Sequence, residues 1–215
     1  MKKIIIIGAG GYAKSIIDSL NLYEYTIEGF IDDFKKEKYH LGYPILTDKI
    51  DKIGNPNGFF YFIAIGDNQK RTKWYKELKE RNLNIINIID KSAIISPHAE
   101  LGTGCFIGKM AIINSNVNVG NNCIINTKAL IEHGCNIENN INISTNTVLN
   151  GDVHVNDNTF VGSCSVINGQ ITIGKNVMIG SGSVVIHDIP DNATAVGVPA
   201  VIKKIGGKRI WDMSK

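Results

Sequence analysis

The sequence lacks the cysteine spacing of a metal site or a disulfide framework. Its cysteines, Cys105, Cys123, Cys135 and Cys164, form no C-x-x-C pair and stand at no ligand spacing from a histidine. A reducing compartment follows as the expectation, and with it a cytoplasmic location. Net charge is low, +3 at neutral pH over 215 residues. No cluster of lysine and arginine is interleaved with aromatics, which argues against a nucleic-acid surface and leaves small anionic ligands as partners. No apolar run approaches the roughly 20 residues of a membrane span. The isoleucines near the N-terminus are cut short by glycines, too soon for the core of a signal peptide. What is present is 43% hydrophobic residues, enough for a substantial core.

The two halves of the chain have different periods. Residues 1–88 alternate short apolar runs with helical patterns. Strands are expected at 3–7, 27–31, 59–65 and 85–89, and helices at 11–20 and 68–81. That alternation implies βαβ units and a parallel sheet. From Ile89 every sixth residue through Val185 is aliphatic, and the residue two before each is small or of modest size: Ala93, Ala99, Cys105, Ala111, Val117, Cys123, Ala129, Cys135. A six-residue repeat does not fit a 3.6-residue helix. It fits a parallel β-helix in which each hexad forms one side of a triangular coil and eighteen residues make a turn. Glycine or asparagine often follows the aliphatic, as at Gly102, Gly108, Asn114 and Gly120. These are expected at the corners, where positive φ costs them least.

In the first half, Gly8-Ala9-Gly10-Gly11-Tyr12-Ala13 follows a buried strand and opens a helix, the setting in which G-x-G-x-x-A brings a phosphate to a helix N-terminus. Asp32 and Asp33 end the second strand about twenty residues later, where they can accept hydrogen bonds from a ribose or base. About 88 residues are too few for the two mononucleotide halves of an NAD-binding fold, so a single nucleotide is the expected ligand. In the second half, the eighteen-residue turn stacks His133 with Ser115, Gly151, Gly169 and His187. The two glycines leave a bare groove roughly 10 Å long beside the imidazole, since neighbouring coils lie about 4.8 Å apart.

The unbroken repeat resembles the hexapeptide-repeat acyltransferases with a left-handed parallel β-helix, and "GVPA" at 197–200 is similar to a hallmark of their acetyl-CoA-dependent branch. The run N-T-x-x-x-I-E-H from Asn126 to His133 further resembles the catalytic turn of bacterial nucleotide-sugar N-acetyltransferases of bacillosamine-type 4-amino-sugar pathways and of sialic-acid O-acetyltransferases. "IDDF" (31–34) and "FIAIGDNQKR" (62–71) resemble the nucleotide-sugar-binding motifs of the same enzymes. The resemblance implies an α/β Rossmann-like βαβ domain at 1–88 holding the nucleotide sugar. A left-handed parallel β-helix with a C-terminal tail at 89–215 would carry acetyl-CoA and the chemistry, in a homotrimer with active sites between subunits.

By that resemblance His133 is the general base; the acidic residue common directly after the histidine is replaced here by Gly134, a departure that leaves the orienting of the imidazole to Glu132, to Asn126 or to a backbone carbonyl. Gly151, Gly162 and Ser181 would line the acetyl-CoA channel, while Lys175, Lys203 and Lys204 meet its phosphates. Asp32 and Asp33 would read a pyrimidine; Gly8, Gly10, Gly11, Gly66 and Asn68 would sit near the phosphates; Tyr12 stands where relatives often carry histidine. The expected activity is transfer of acetyl from acetyl-CoA to the 4-amino group of a UDP- or dTDP-linked 4-amino-4,6-dideoxy sugar, for surface glycan biosynthesis. The alternative is O-acetylation of a sialic or other nonulosonic acid. Solenoid relatives with carbonic anhydrase activity need three histidines on one metal. His98, His133 and His154 are 35 and 21 residues apart and do not stack, so no metal is expected.

Overall fold

The structure, a computed structural model, describes residues 1–35 and 37–209, so positions 210–215 of the C-terminal tail lie outside the described residues. The chain divides into two compact units, Met1–Ile89 and Asp90–Lys215. Among the described residues no helix is long and apolar enough to cross a membrane.

The first unit is a Rossmann-like α/β layer: β1 (Lys2–Ile7), α1 (Tyr12–Ser19), β2 (Tyr25–Ile31), β3 (Tyr39–His40), β4 (Tyr43–Thr47), β5 (Phe60–Ile63), α2 (Asn68–Glu80) and β6 (Asn84–Ile85). Sheet order is β3-β4-β2-β1-β5-β6. The central strand β1 pairs in parallel with β2 and β5 and buries Ile4, Ile5, Ile6 and Ile7 completely. A strand covered on both faces reads as a continuous apolar run for this reason.

Two expectations change here. The strand expected at 85–89 is broken into Asn84–Ile85 and Ile88–Ile89. The β3–β4 hairpin, antiparallel through His40 and Tyr43, was not foreseen. Its two turn residues, Leu41 and Gly42, both have positive φ (50° and 82°). Leucine is an atypical occupant of such a turn, so no asparagine or aspartate announces it.

The second unit is a left-handed parallel β-helix whose two-residue strands recur every six residues and pair with strands eighteen residues on. The repeated aliphatics from Ile107 to Val185 point inward and are at most 3% exposed. Each such burial contributes about 1.5–3 kcal/mol. Ile89, at the start of the register, is instead 43% exposed, and Ile95 and Leu101 are only partly buried, because the first coil has none beneath it.

The small inward positions satisfy corner carbonyls. The thiols of Cys105, Cys123 and Cys135 donate to the carbonyls of Gly120, Glu138 and Asn150, and the hydroxyls of Thr147, Thr159 and Ser165 donate to those of Gly162, Gly174 and Gly180. Each reaches fifteen residues ahead. A buried small polar group costs little when it meets an otherwise unpaired acceptor, and burial pushes the Cys135 thiol up to about 11.

Positive φ falls two residues later than the composition suggested, at Gly104, Met110, Asn116, Asn122, Lys128, Gly134 and so on. The glycines directly after the inward aliphatic answer a different demand. A Cβ on Gly102, Gly120 or Gly162 would lie 2.5–2.7 Å from backbone atoms of the next coil.

Candidate functional site

The three outward faces of the coil stack differ. The face built from Ile94, Ile112, Leu130, Val148, Val166 and Val184 is wholly aliphatic, with Ile94 63% exposed and the rest half-buried. A second presents Glu100, Asn118, Asn136, His154 and Thr172. The third presents Phe106, Ile124, Asn142, Phe160 and Met178.

His133 follows the aliphatic-face strand Leu130–Ile131 by two residues, at one edge of that face, and its side chain is 65% exposed. The ring lies on Gly151 of the next coil, where a Cβ would stand 2.6 Å from Cε1 and 2.8 Å from Nε2. Glycine is thus required for the imidazole to occupy this place. Asn126, Gly162 and Ser181 occupy the corner at the opposite edge of the same face, ahead of Leu130–Ile131 and its equivalents. The structure therefore does not bring Asn126 to the imidazole within one chain; its Oδ1 accepts from the Thr127 backbone N–H at 2.8 Å. Glu132 accepts from Asn114 Nδ2 of the preceding coil at 3.0 Å.

Lys175 stands on the third corner, away from the aliphatic face, paired with Asp157 at 3.5 Å and Glu138 at 4.0 Å. Lys203 and Lys204 are exposed on the strand Val201–Ile205. Sequence reasoning missed Asp152, whose Oδ1 is 4.0 Å from His133 Nδ1. Adding eighteen to Gly134, the residue beside the histidine, would have found it.

In the first unit a pocket of about 700 Å³ gathers Gly8, Gly10, Gly11, Tyr12, Asp32, Asp33 and Gly66. Gly8, with φ +98°, is held against Ala64 and Ile65. A Cβ on Gly10, Gly11 or Gly66 would meet no atom of a residue outside its own stretch of chain within 4 Å, so these positions are open to a ligand. Asn68 is not among the lining residues; its Oδ1 accepts from the guanidinium of Arg71 at 2.8 Å. Arg71, 1% exposed, also donates to the carbonyls of Ile65 and Gly66 and so holds the turn beneath the pocket.

Asp32 is already engaged. One oxygen accepts from Ala9 N–H at 2.6 Å and the other from Phe34 and Lys35 N–H at 2.9 and 2.8 Å. Burial pushes its carboxyl up, but these backbone donors outweigh it and hold it below the usual range. Asp32 therefore fastens the glycine loop, and Asp33 keeps an exposed carboxylate at the pocket. Lys70, Lys73, Trp74 and Glu77 also line it, joined by Lys49. Their i, i+3, i+4, i+7 spacing puts them on one side of α2, a signal the sequence carried.

Residues 3–78 match the family model described as the PglD N-terminal domain, and residues 152–187 match that of the bacterial transferase hexapeptide (six repeats). The chain is 31% identical to a histidine-to-asparagine mutant of perosamine N-acetyltransferase from Caulobacter crescentus, solved in complex with CoA and GDP-perosamine. That match has a TM-score of 0.87 and covers 95% of this chain and 98% of that one. Against the acetyltransferase domain of PglB from Neisseria gonorrhoeae in complex with acetyl coenzyme A, identity is 26% and the TM-score 0.88, covering 94% and 98%. A curated relative, an uncharacterized protein of Acanthamoeba polyphaga mimivirus, is 34% identical over 105 residues. That match takes in 49% of this chain but only 21% of the relative.

Proposed function

Because this chain belongs to the hexapeptide-repeat acetyltransferases that carry a PglD-type N-terminal domain, we propose that it acetylates a nucleotide-linked amino sugar. Acetyl-CoA is the donor, and the acceptor is the 4-amino group of a UDP- or dTDP-linked 4-amino-4,6-dideoxy sugar destined for surface glycan. The observation that carries this reading is the exposed imidazole of His133 lying on the bare backbone of Gly151 at the edge of an aliphatic face.

The amine nitrogen attacks the thioester carbon, and the carbonyl oxygen becomes an oxyanion, for which the backbone N–H of Gly151, with no side chain in front of it, is the donor. His133 takes the proton that nitrogen loses as the C–N bond forms. Collapse of the oxyanion breaks the C–S bond, and the departing thiolate receives that proton from the imidazolium, leaving free CoA and the acetamido sugar. Lys203 and Lys204 are assigned to the CoA phosphates. In the first unit, Gly10 and Gly11 at the start of α1, with Lys49, Lys70 and Lys73, form the diphosphate site, and Asp33 reads the base.

The assembly is a homotrimer packed through the aliphatic face. Such a continuous apolar stripe is what a permanent interface requires. A second copy seated on it borders His133 and Gly151 at one edge and Asn126, Gly162 and Ser181 at the other, so the site is completed between subunits.

Purified protein with acetyl-CoA and a panel of UDP-, dTDP- and GDP-linked 4-amino sugars, followed by thiol release, tests this. Turnover is expected with the pyrimidine-linked sugars. His133→Ala is expected to lower kcat by at least about 100-fold with the trimer intact. Turnover no faster than thioester hydrolysis for every sugar overturns the reading. Preference for the GDP sugar overturns only the base assignment.

A further inference from the structure

We infer that Asp152, from the coil after the one carrying His133, is the positioning residue that holds the His133 imidazole in its working tautomer and orientation. This rests on the function proposed above. Four observations converge on it. Asp152 Oδ1 is the acceptor 4.0 Å from His133 Nδ1. That is ion-pair range rather than a hydrogen bond, and contacts of this kind commonly tighten when substrate is bound. The Asp152 backbone N–H donates to the His133 carbonyl at 2.9 Å, so the two residues are fastened to each other through the main chain. Asp152 also has φ +60°, a conformation aspartate tolerates better than most residues.

The fourth observation concerns Gly134. A Cβ built there would fall on Asp152 Oδ1. A side chain at 134 and the carboxylate of Asp152 at this place exclude each other, and this chain has the glycine. Gly151 below the ring and Gly134 beside the carboxylate are two bare positions that together admit the pair.

The other charged groups nearby are placed differently. Glu132 is bonded to Asn114 on the preceding coil, and His187 lies two coils beyond Gly151 in the same column. With Nδ1–H directed at Asp152, the lone pair of Nε2 is left for the proton of the acceptor amine, and the carboxylate stabilises the imidazolium that forms. Asp152 does not itself take the proton.

The test is steady-state kinetics on the whole protein with both substrates, for Asp152→Asn, Asp152→Ala, Gly134→Ala and the Gly134→Ala/Asp152→Ala double variant, alongside His133→Ala. Asp152→Ala is expected to lower kcat about 10- to 100-fold, part of the 10²–10⁴ a general base supplies. Both KM values stay within about twofold and the oligomer is unchanged, a split that loss of folding or binding does not produce. Asp152→Asn keeps an acceptor oxygen but no charge and falls between Asp152→Ala and wild type. Gly134→Ala displaces the carboxylate without altering it and lowers kcat in the wild-type background, but produces no further loss beside Asp152→Ala, the signature of a shared interaction. If kcat of Asp152→Ala stays within twofold of wild type, or the loss lies in KM, the inference is overturned. An active His133→Ala brings down the underlying reading instead, so the two failures are told apart.

Discussion

Two faces of the same prism share one backbone, one inward aliphatic core and one eighteen-residue register, yet differ in what they turn outward. One carries Ile94, Ile112, Leu130, Val148, Val166 and Val184; the other carries Glu100, Asn118, Asn136, His154 and Thr172. The core is indifferent to these outward positions, so coil stability cannot account for the contrast. Association can, because apolar side chains left in water on a folded surface gain free energy only when a second surface covers them. The corners follow the same division. His133, Gly151, Asn126, Gly162 and Ser181 flank the aliphatic face, whereas the corner that does not touch it carries a ladder of hydrogen bonds and ion pairs: Asn121 accepts from Thr103, Asn139 from Asn121 and Asp157 from Asn139, and Lys175 pairs with Asp157.

The contrast breaks most sharply if charge is placed on each face in turn. Leu130→Glu with Val148→Glu is expected to give monomers by sedimentation and to lower turnover at least about 100-fold, since buried unpaired carboxylates are costly and the seam is lost. Asn118→Glu with Asn136→Glu should leave both within twofold. Equal effects from the two pairs would mean that the aliphatic face is not the interface.

A smaller effect is expected at single glycines of the two kinds of corner. Gly151→Ala pushes the imidazole aside and should lower kcat about 10-fold or more, as for a misplaced base, with little change in melting temperature. Gly120→Ala, whose Cβ would meet Glu138 backbone at 2.7 Å, should instead lower melting temperature.

The smallest effect concerns acid. Burial pushes the Asp157 carboxyl up, but the backbone and side chain of Asn139, together with Lys175, hold it below the usual range. Its contribution is therefore present above the ordinary carboxylate pKa near 4 and is lost as pH falls through the lower folded value. Melting curves from pH 6 to 3 should show a shallower decline in Asp157→Asn than in wild type. Leu130→Ala, on the uncharged face, should leave the slope unaltered.

Much of this architecture was readable in the residue order because a solenoid ties position in the chain to position in space. Counting by six identifies the inward residues, and counting by eighteen stacks His133 on Gly151 before any coordinate is known. The α/β unit was less legible. Gly8, Gly10, Gly11, Asp32, Asp33 and Gly66 were found as a motif, yet the commitment of Asp32 to three backbone donors and the turning of Asn68 toward Arg71 depend on how a loop closes, which no period describes. The β3–β4 hairpin escaped because Leu41 is a poor advertisement for a turn.

The repeat alone was enough to dictate the coil, its core and the column in which an imidazole meets a bare backbone, since these follow from a fixed rise and a fixed number of residues per turn. Folding in three dimensions was needed to place the Asp152 carboxylate in the space Gly134 leaves, to assign positive φ to its true corner position and to gather Lys49, Lys70, Lys73 and Trp74 around one pocket. Side-chain direction and loop closure arise from packing between segments, and only the assembled chain brings those segments together.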